Sequence, residues 1–208
     1  MQEPLTTKKK ILYCALDLFS RRGYEGVSMR DIAAEVTIKG ASLYNHFKSK
    51  QDIFDSILDE MNDRYEKSIL EMQAPLGTAD EVTDVYSLIS EEKLIYLVLE
   101  MFHYFLNDEY VSKFRKILTL EQFKSARVGE TYEDIYFKGA LEYQTKLFSN
   151  LIQRGNFTEC NPEIIALQFY APIYLLICQY DHYPEREEEA KIILKKHVEQ
   201  FIKSYKLK

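Results

Sequence analysis

The sequence predicts an all-α chain, with a small three-helix head at its amino terminus and a larger helical body behind it. Apolar residues recur at intervals of three and four through almost every segment, the pattern of helices that bury one face. Strand-like alternation, internal repeats and low-complexity tracts are missing. The charge is also divided: residues 1–50 hold nine Lys and Arg against five Asp and Glu, whereas the remaining 158 hold 18 against 28, within a chain of net charge -6. A basic head on an acidic body fits a polyanion-binding module carried by a part that stays clear of the polyanion. Clustering on a solvated face would give the same tally, so spacing has to decide. At 208 residues and 46% hydrophobic composition the chain has enough apolar material for a packed soluble core.

The first helix is expected over residues 7–22, where Ile11, Leu12, Ala15, Leu18 and Phe19 share one face and Gly23 turns the chain. Ser28 followed by Asp31 makes a capping-box start, with Asp in the usual place of Glu, for a short second helix whose apolar side is Met29, Ile32, Ala33 and Val36. After the turn VTIKG, a third helix is expected over residues 40–47, with Leu43 and Phe47 inward and Lys39, Ser42, Asn45 and His46 outward. Ser49 with Asp52 caps a longer fourth helix carrying Ile53, Phe54, Ile57, Leu58 and Met61. Two short helices joined by a tight turn and packed on a preceding one describe a helix-turn-helix, whose second member can enter a DNA major groove. The expected division is a helix-turn-helix DNA-binding domain over residues 1–48 and a helical regulatory and dimerisation domain over residues 49–208.

The stretch ILYCALDLFSRRGYEGVSMRDIAAEVTIKGASLYNHFKSKQDIF resembles the amino-terminal signature of TetR-type transcriptional regulators, with LYNHFKSK its most specific part. The resemblance covers residues 7 to about 55. It departs at Thr37, where the family usually has Gly, and at Lys39 and Gly40, where Ser followed by Lys is commoner, which implies an altered base preference. The residues supply a mechanism beside the name. Backbone N–H groups beside Ser28 and Ser49 can receive phosphate oxygens at helix starts, and Arg30, Lys50 and the Tyr44 hydroxyl can add side-chain contacts. Base reading falls to Lys39, Ser42, Asn45 and Arg30, with Gly40 and Ala41 small enough for close approach. His46 either joins this surface or packs the small domain.

One short recognition helix reads few bases, so two copies are normally held one DNA turn apart by a symmetric dimer. NPEIIALQFYAPIYLLICQYD is apolar almost all round, and the following EREEEAKIILKKHVEQFIKSYK is amphipathic; pairing both with their symmetry mates as a four-helix bundle would bury them, and the TetR resemblance implies the same homodimer. A monomeric core is the alternative. Pro172 is expected to kink the first of these helices.

Between the two ends, EEKLIYLVLEMFHYFLND, DEYVSKFRKILTLEQF and ETYEDIYFKGALEYQTKLFSNLIQRGNF carry helical periodicity, broken near Asn107, Gly129 and Gly155, with APLGTADE as the clearest interruption before them. Of 16 tyrosines, 12 lie beyond residue 74. Tyr96, Glu100, His103 and Asn107 form a polar stripe on an apolar helix; Tyr136 and Tyr143 share one face, and Tyr170 and Tyr174 another. Together with Tyr65 these are the candidates for a pocket taking a small, partly aromatic or apolar effector, or one with a cationic group near Glu100. A stripe facing water and aromatics filling core are the competing reading. The family resemblance implies an effector pocket in this body.

Other chemistries are poorly served. Cys14, Cys160 and Cys178 form no CxxC pair, which suits a reducing cytoplasm, and the apolar run from residue 164 to 180 is interrupted by Gln168 and Pro172, so it is expected as a buried helix with no membrane partner. The four histidines are scattered and no GxSxG, HExxH or phosphate-cradling loop is present, so neither enzyme activity, metal nor cofactor is expected. The rival to an effector-controlled repressor is a helix-turn-helix protein that organises DNA or meets a protein partner without a small-molecule effector.

Overall fold

The computed structural model describes residues 5–207. The described residues form eleven α-helices and no named strand, with one isolated antiparallel bridge between Phe157 and Lys206. The chain divides into two compact units, Met1–Tyr65 with Glu109–Glu130, and Glu66–Asp108 with Thr131–Lys208.

The first unit begins with α1 (Thr7–Arg22), whose start is capped by the Thr6 hydroxyl accepting the Lys9 N–H at 3.3 Å. All five residues of the apolar face read from sequence are buried. Helix α2 (Met29–Val36) opens with the anticipated capping box: the Ser28 hydroxyl accepts the Asp31 N–H, and the Ser28 N–H donates to the Asp31 carboxylate at 2.8 Å. It ends at Thr37, held in the left-handed region at φ 61°, while the Ile38 N–H reaches back to the Ala33 carbonyl. Helix α3 (Gly40–Tyr44) is shorter than expected, because after it the His46 and Phe47 N–H groups both return to the Leu43 carbonyl, at 3.0 and 3.1 Å. Helix α4 (Lys50–Glu71) follows, its first turn capped by the Ser49 hydroxyl accepting the Asp52 N–H at 3.1 Å.

Phe19, Ile32, Leu43, Phe47 and Phe54 are almost fully buried, and α7 (Glu109–Glu121) packs along α1 and sets Phe114 against Phe54, ring centroids 5.8 Å apart. The compact unit thus extends past residue 48 along α4 to Tyr65 and takes in a second chain segment.

The second unit contains α5 (Ala79–Leu88), α6 (Glu91–Asn107), α9 (Gly139–Gln153), α10 (Pro162–Tyr180) and α11 (Glu187–Tyr205). Their core is built on Phe102, Leu147, Phe148, Phe169, Leu194 and Phe201, with the Phe148, Phe169 and Phe201 rings 4.8 to 5.6 Å apart. Helix α8 (Ala126–Glu133) starts in the first unit and ends in the second, then runs through a π-helical turn, Asp134–Lys138, directly into α9. The break expected near Gly129 falls earlier, over residues 122–125, and Gly129 itself lies inside α8. A Cβ there would sit 2.7 Å from the Gln122 carbonyl oxygen, so the glycine lets the helix start tight against the preceding turn. Helix α10 continues through Pro172. Its length and composition would let it cross a membrane, but here Ile165, Ala166, Phe169, Leu176, Ile177 and Tyr180 are buried in the helical body.

Candidate nucleic-acid interface

Helix α3 is anchored from beneath by Leu43 and by Phe47 just after it, 0% and 1% exposed. Because these side chains fix the helix by one face, the opposite edge is presented outward. Lys39, Gly40, Ala41, Asn45 and His46 are exposed, Tyr44 is 57% exposed and Ser42 is half-buried. A Cβ on Gly40 would meet nothing within 4 Å. Nothing inside the unit requires a glycine there, although alanine would be the better helix former. His46 therefore belongs to the surface and not to the packing of the small domain.

At the start of α2, Ser28 and Arg30 are exposed. The hydroxyl and backbone N–H of Ser28, helped by Arg22, hold the Asp31 carboxyl below its ordinary range. This places one fixed negative charge beside the candidate phosphate site, offset by Arg22 at 3.3 Å. Ser49 is exposed at the start of α4. Lys50 differs from its neighbours: its ammonium donates to the Tyr24 carbonyl at 2.8 Å, lies 4.2 Å from the Tyr24 ring centroid and pairs with Glu25 at 3.6 Å. It is tied into the unit, and these partners, about 26 residues away in the chain, left no local sequence pattern.

The nine cations of residues 1–50 sort into two groups. Lys9 pairs with Glu60, Arg21 with Asp17 and Glu35, Arg22 with Asp31, and Lys50 with Glu25. Lys8, Lys10, Arg30, Lys39 and Lys48 are exposed and have no carboxylate partner among the described residues. Lys8 lies 5.5 Å over the Phe47 ring, at the end of α3, a contact that sequence reasoning missed. The run Lys8-Lys9-Lys10 was the available signal, but nothing local connects it to a residue about 40 positions on.

Among the candidate effector residues, the second unit brings together Tyr136, Tyr170 and Tyr174. The Tyr170 hydroxyl donates to the Tyr136 carbonyl at 2.8 Å, and the Tyr136 and Tyr174 ring centroids are 5.9 Å apart. Tyr132, which the sequence reading passed over, completes this cluster, its hydroxyl hydrogen-bonded to that of Tyr174 and its ring 5.5 Å from Tyr136. The spacing of Tyr132 and Tyr136 was the signal. Burial, aided by the Tyr132 contact, holds the Tyr174 hydroxyl protonated far above the usual tyrosine range. The π turn carries Tyr136 and Phe137 into the cluster. Tyr143 is half-buried against the core.

The polar stripe of α6 is divided. Tyr96 is exposed with Lys93 over its ring, and Glu100 is half-buried. His103 and Asn107 turn to α11, meeting the Glu187 carboxylate at 2.8 and 2.9 Å. Partial burial of Glu187 works against its ionisation, yet Lys191 and His103 keep its carboxyl below the ordinary range. Tyr65 lies in the first unit, exposed on α4. A separate open cleft of about 430 Å³ is lined mainly by Pro75, Val85, Leu88, Ile89, Lys93 and Leu97, and by none of the tyrosines named from sequence. Among the described residues no three His, Cys, Asp or Glu side chains are grouped to hold a metal ion.

A small helical head that presents the second helix of a helix-turn-helix outward, followed by an all-helical body, is a geometry that can offer a helix to a DNA major groove. Residues 11–57 match the family model "Bacterial regulatory proteins, tetR family". Over 48 residues the chain is also 52% identical to the IcaR negative transcriptional regulator of the biofilm operon icaADBC of Staphylococcus aureus, covering 23% of this chain and 26% of that protein. The chain thus spans about a quarter of the length of the curated relatives it matches. The whole chain superimposes on a TetR-family transcriptional regulator of Mesorhizobium loti with a TM-score of 0.69 at 20% identity, over 97% of both chains. It superimposes on SmeT of Stenotrophomonas maltophilia in complex with triclosan with a TM-score of 0.67 at 19% identity, over 97% of this chain and 92% of that one. The helix-turn-helix segment thus matches the tetR family of bacterial regulatory proteins, and the chain shares the fold of TetR-family regulators.

Proposed function

We propose that this protein is a cytoplasmic transcriptional repressor that binds a palindromic DNA operator as a homodimer and is released by a small, partly aromatic or apolar effector. One observation carries the DNA reading: the edge of α3 from Lys39 to His46 is free of the unit's own packing, while Leu43 and Phe47 fix it from behind. Lys39, Ser42 and Asn45 offer donors and acceptors to base edges, and the bare surface at Gly40 and Ala41 admits close approach. Arg30, Tyr44, His46 and the N–H groups beside Ser28 and Ser49 contact phosphates, whereas Lys50 acts by holding the start of α4 to Tyr24. Repression is supported by the negative regulator that shares this segment.

Dimerisation is supported by α10 and α11. Ile164, Leu167, Ala171, Leu175 and Cys178 recur along one exposed stripe of α10, and Ile192 and Ile193 are exposed on α11. A second copy of the same two helices would cover them in a four-helix arrangement, and twofold pairing would set two α3 helices about 34 to 36 Å apart. The effector reading is supported by the π turn at Asp134–Lys138, an irregularity that often marks functional sites, and by the complex of SmeT with triclosan. Helix α4 passes from one compact unit into the other between Tyr65 and Glu66 and is the lever by which an effector would change DNA affinity. The close ring-to-ring packing of Tyr132, Tyr136 and Tyr174 favours the second reading, a helix-turn-helix protein with no effector.

Selection of bound duplexes from a random DNA pool tests the first claim. The expected product is an inverted repeat with half-site centres about 10 base pairs apart or a multiple of that. A pool that stays random after several rounds contradicts it. Addition of triclosan as a small aromatic probe to the selected complex then separates the readings: release supports an effector site, and full retention at saturating probe supports the rival for that chemical class.

A further inference from the structure

We propose that Lys8 and Lys48, brought together from α1 and from the end of the recognition segment, form a phosphate clamp that seats α3 in the groove. The inference rests on the DNA-binding reading and extends it to two residues to which that reading assigns no contact. Lys8 lies 5.5 Å over the ring of Phe47, which is 1% exposed and so cannot drift from α3. Lys48 is the next residue in the chain, its side chain exposed while its backbone N–H is held by the Asp52 carboxylate at 2.8 Å. The Lys8 ammonium over Phe47 and the backbone of Lys48, the next residue, therefore stand at the same end of the recognition segment.

Neither lysine has a carboxylate partner among the described residues, whereas Lys9 is bridged to Glu60 at 3.4 Å. The position of Lys8 is also unfavourable for the isolated protein. It stands in the first turn of α1 with Lys9 and Lys10, and that turn has no acidic residue. Cations near a helix start oppose its dipole. An anion approaching this corner offsets that penalty, and a DNA phosphate lying beside the groove that holds α3 is such an anion. Because a lysine ammonium contacts phosphate as a point charge, the clamp sets position and register without reading sequence.

The test is the salt dependence of binding to a mixed-sequence duplex long enough for two half-sites, measured by fluorescence anisotropy between about 50 and 200 mM salt. One phosphate per lysine per subunit means two per dimer, so Lys8→Gln and Lys48→Gln should each reduce the slope of log K against log salt by about 2, and the double variant by about 4. Lys9→Gln, whose charge is engaged by Glu60, should keep the wild-type slope, and Lys8→Arg should restore it. Sequences selected by Lys8→Gln should match those selected by the wild type. Unchanged slopes in both Gln variants, with salt-sensitive binding by the wild type, overturn the clamp alone. Wild-type protein without salt-sensitive affinity for any duplex overturns the DNA-binding reading and the clamp with it.

Discussion

The carboxylate of Glu121 lies directly over Gly23, so that a Cβ on Gly23 would sit 2.5 Å from Oε1. The two residues come from α7 and from the end of α1, and Glu121 is buried. Gly23 has φ 76° and ψ 158°, a region open in practice only to glycine. Gly23→Ala therefore has to displace a buried carboxylate and adopt a strained backbone. The expected loss is about 1 to 3 kcal/mol, read from the midpoint of equilibrium urea unfolding. A variant as stable as the wild type would show that α7 does not clasp the turn after α1.

Thr37 is the reverse case. It closes α2 in the left-handed region, where a β-branched side chain is disfavoured and glycine is at ease. Thr37→Gly should stabilise the first unit by roughly 0.5 to 1 kcal/mol, the relief of left-handed strain less the extra freedom glycine brings to the unfolded chain. Gly40→Ala should also stabilise by about 0.5 to 1 kcal/mol, since the new methyl meets nothing and alanine favours the helix. Yet it should weaken DNA binding, because the methyl projects where the bases approach. A more stable protein with undiminished DNA affinity would contradict the second half.

The local features of the fold were legible because their causes are local. The apolar face of α1, the Ser28 and Asp31 capping box and the outward edge of α3 depend on residues within a turn or two of one another. Helix α5 was not anticipated: its buried side is only Ala79, Val82 and Thr83, too little for a periodic signal, although Thr78 and Glu81 formed an unread capping box. The break read at Gly129 falls instead at residues 122–125, because the glycine serves the close approach of the Gln122 carbonyl, which sequence cannot show. Lys50 matched a phosphate-binding pattern, but the Tyr24 carbonyl and ring that engage it are tertiary. The gathering of Tyr136, Tyr170 and Tyr174 was foreseen only as shared faces of separate helices, and the π turn that aims Tyr136 has no sequence signature.

Leu175 is 64% exposed in the middle of the apolar stripe of α10. Leu175→Glu, with Ile193→Glu as a second variant on α11, should weaken self-association by about 30-fold or more, the scale of losing one central interface anchor. Sedimentation velocity across a dilution series should show dimers for the wild type and monomers for the variants. Equal sedimentation of all three at every concentration would remove these helices from the interface.

Asp17 links α1 to α7 through Lys113 at 2.8 Å. The hydrogen bond from Lys113, against a smaller opposing effect of burial, lowers the Asp17 carboxyl below its ordinary value of 3.8. Since folding favours the ionised form, this contribution is fully present above that value and is lost as the pH falls through the lowered one. Asp17→Asn should be less stable than the wild type at neutral pH, with the difference shrinking as the pH falls toward about 2. A pH-independent difference in urea midpoints would mean that Asp17 acts through packing and not through its charge.

The central claim is that the exposed edge of α3 reads base edges, and Lys39→Ala tests it most directly. Lys39 is exposed at the start of the helix with no carboxylate partner among the described residues, so its removal should leave unfolding unchanged. In parallel selections from one random DNA pool, the variant should lose preference at one base pair in each half-site, at a cost of about 1 to 3 kcal/mol for the wild-type sequence. Recovery of the same sequences with the same affinity by both proteins would contradict the account.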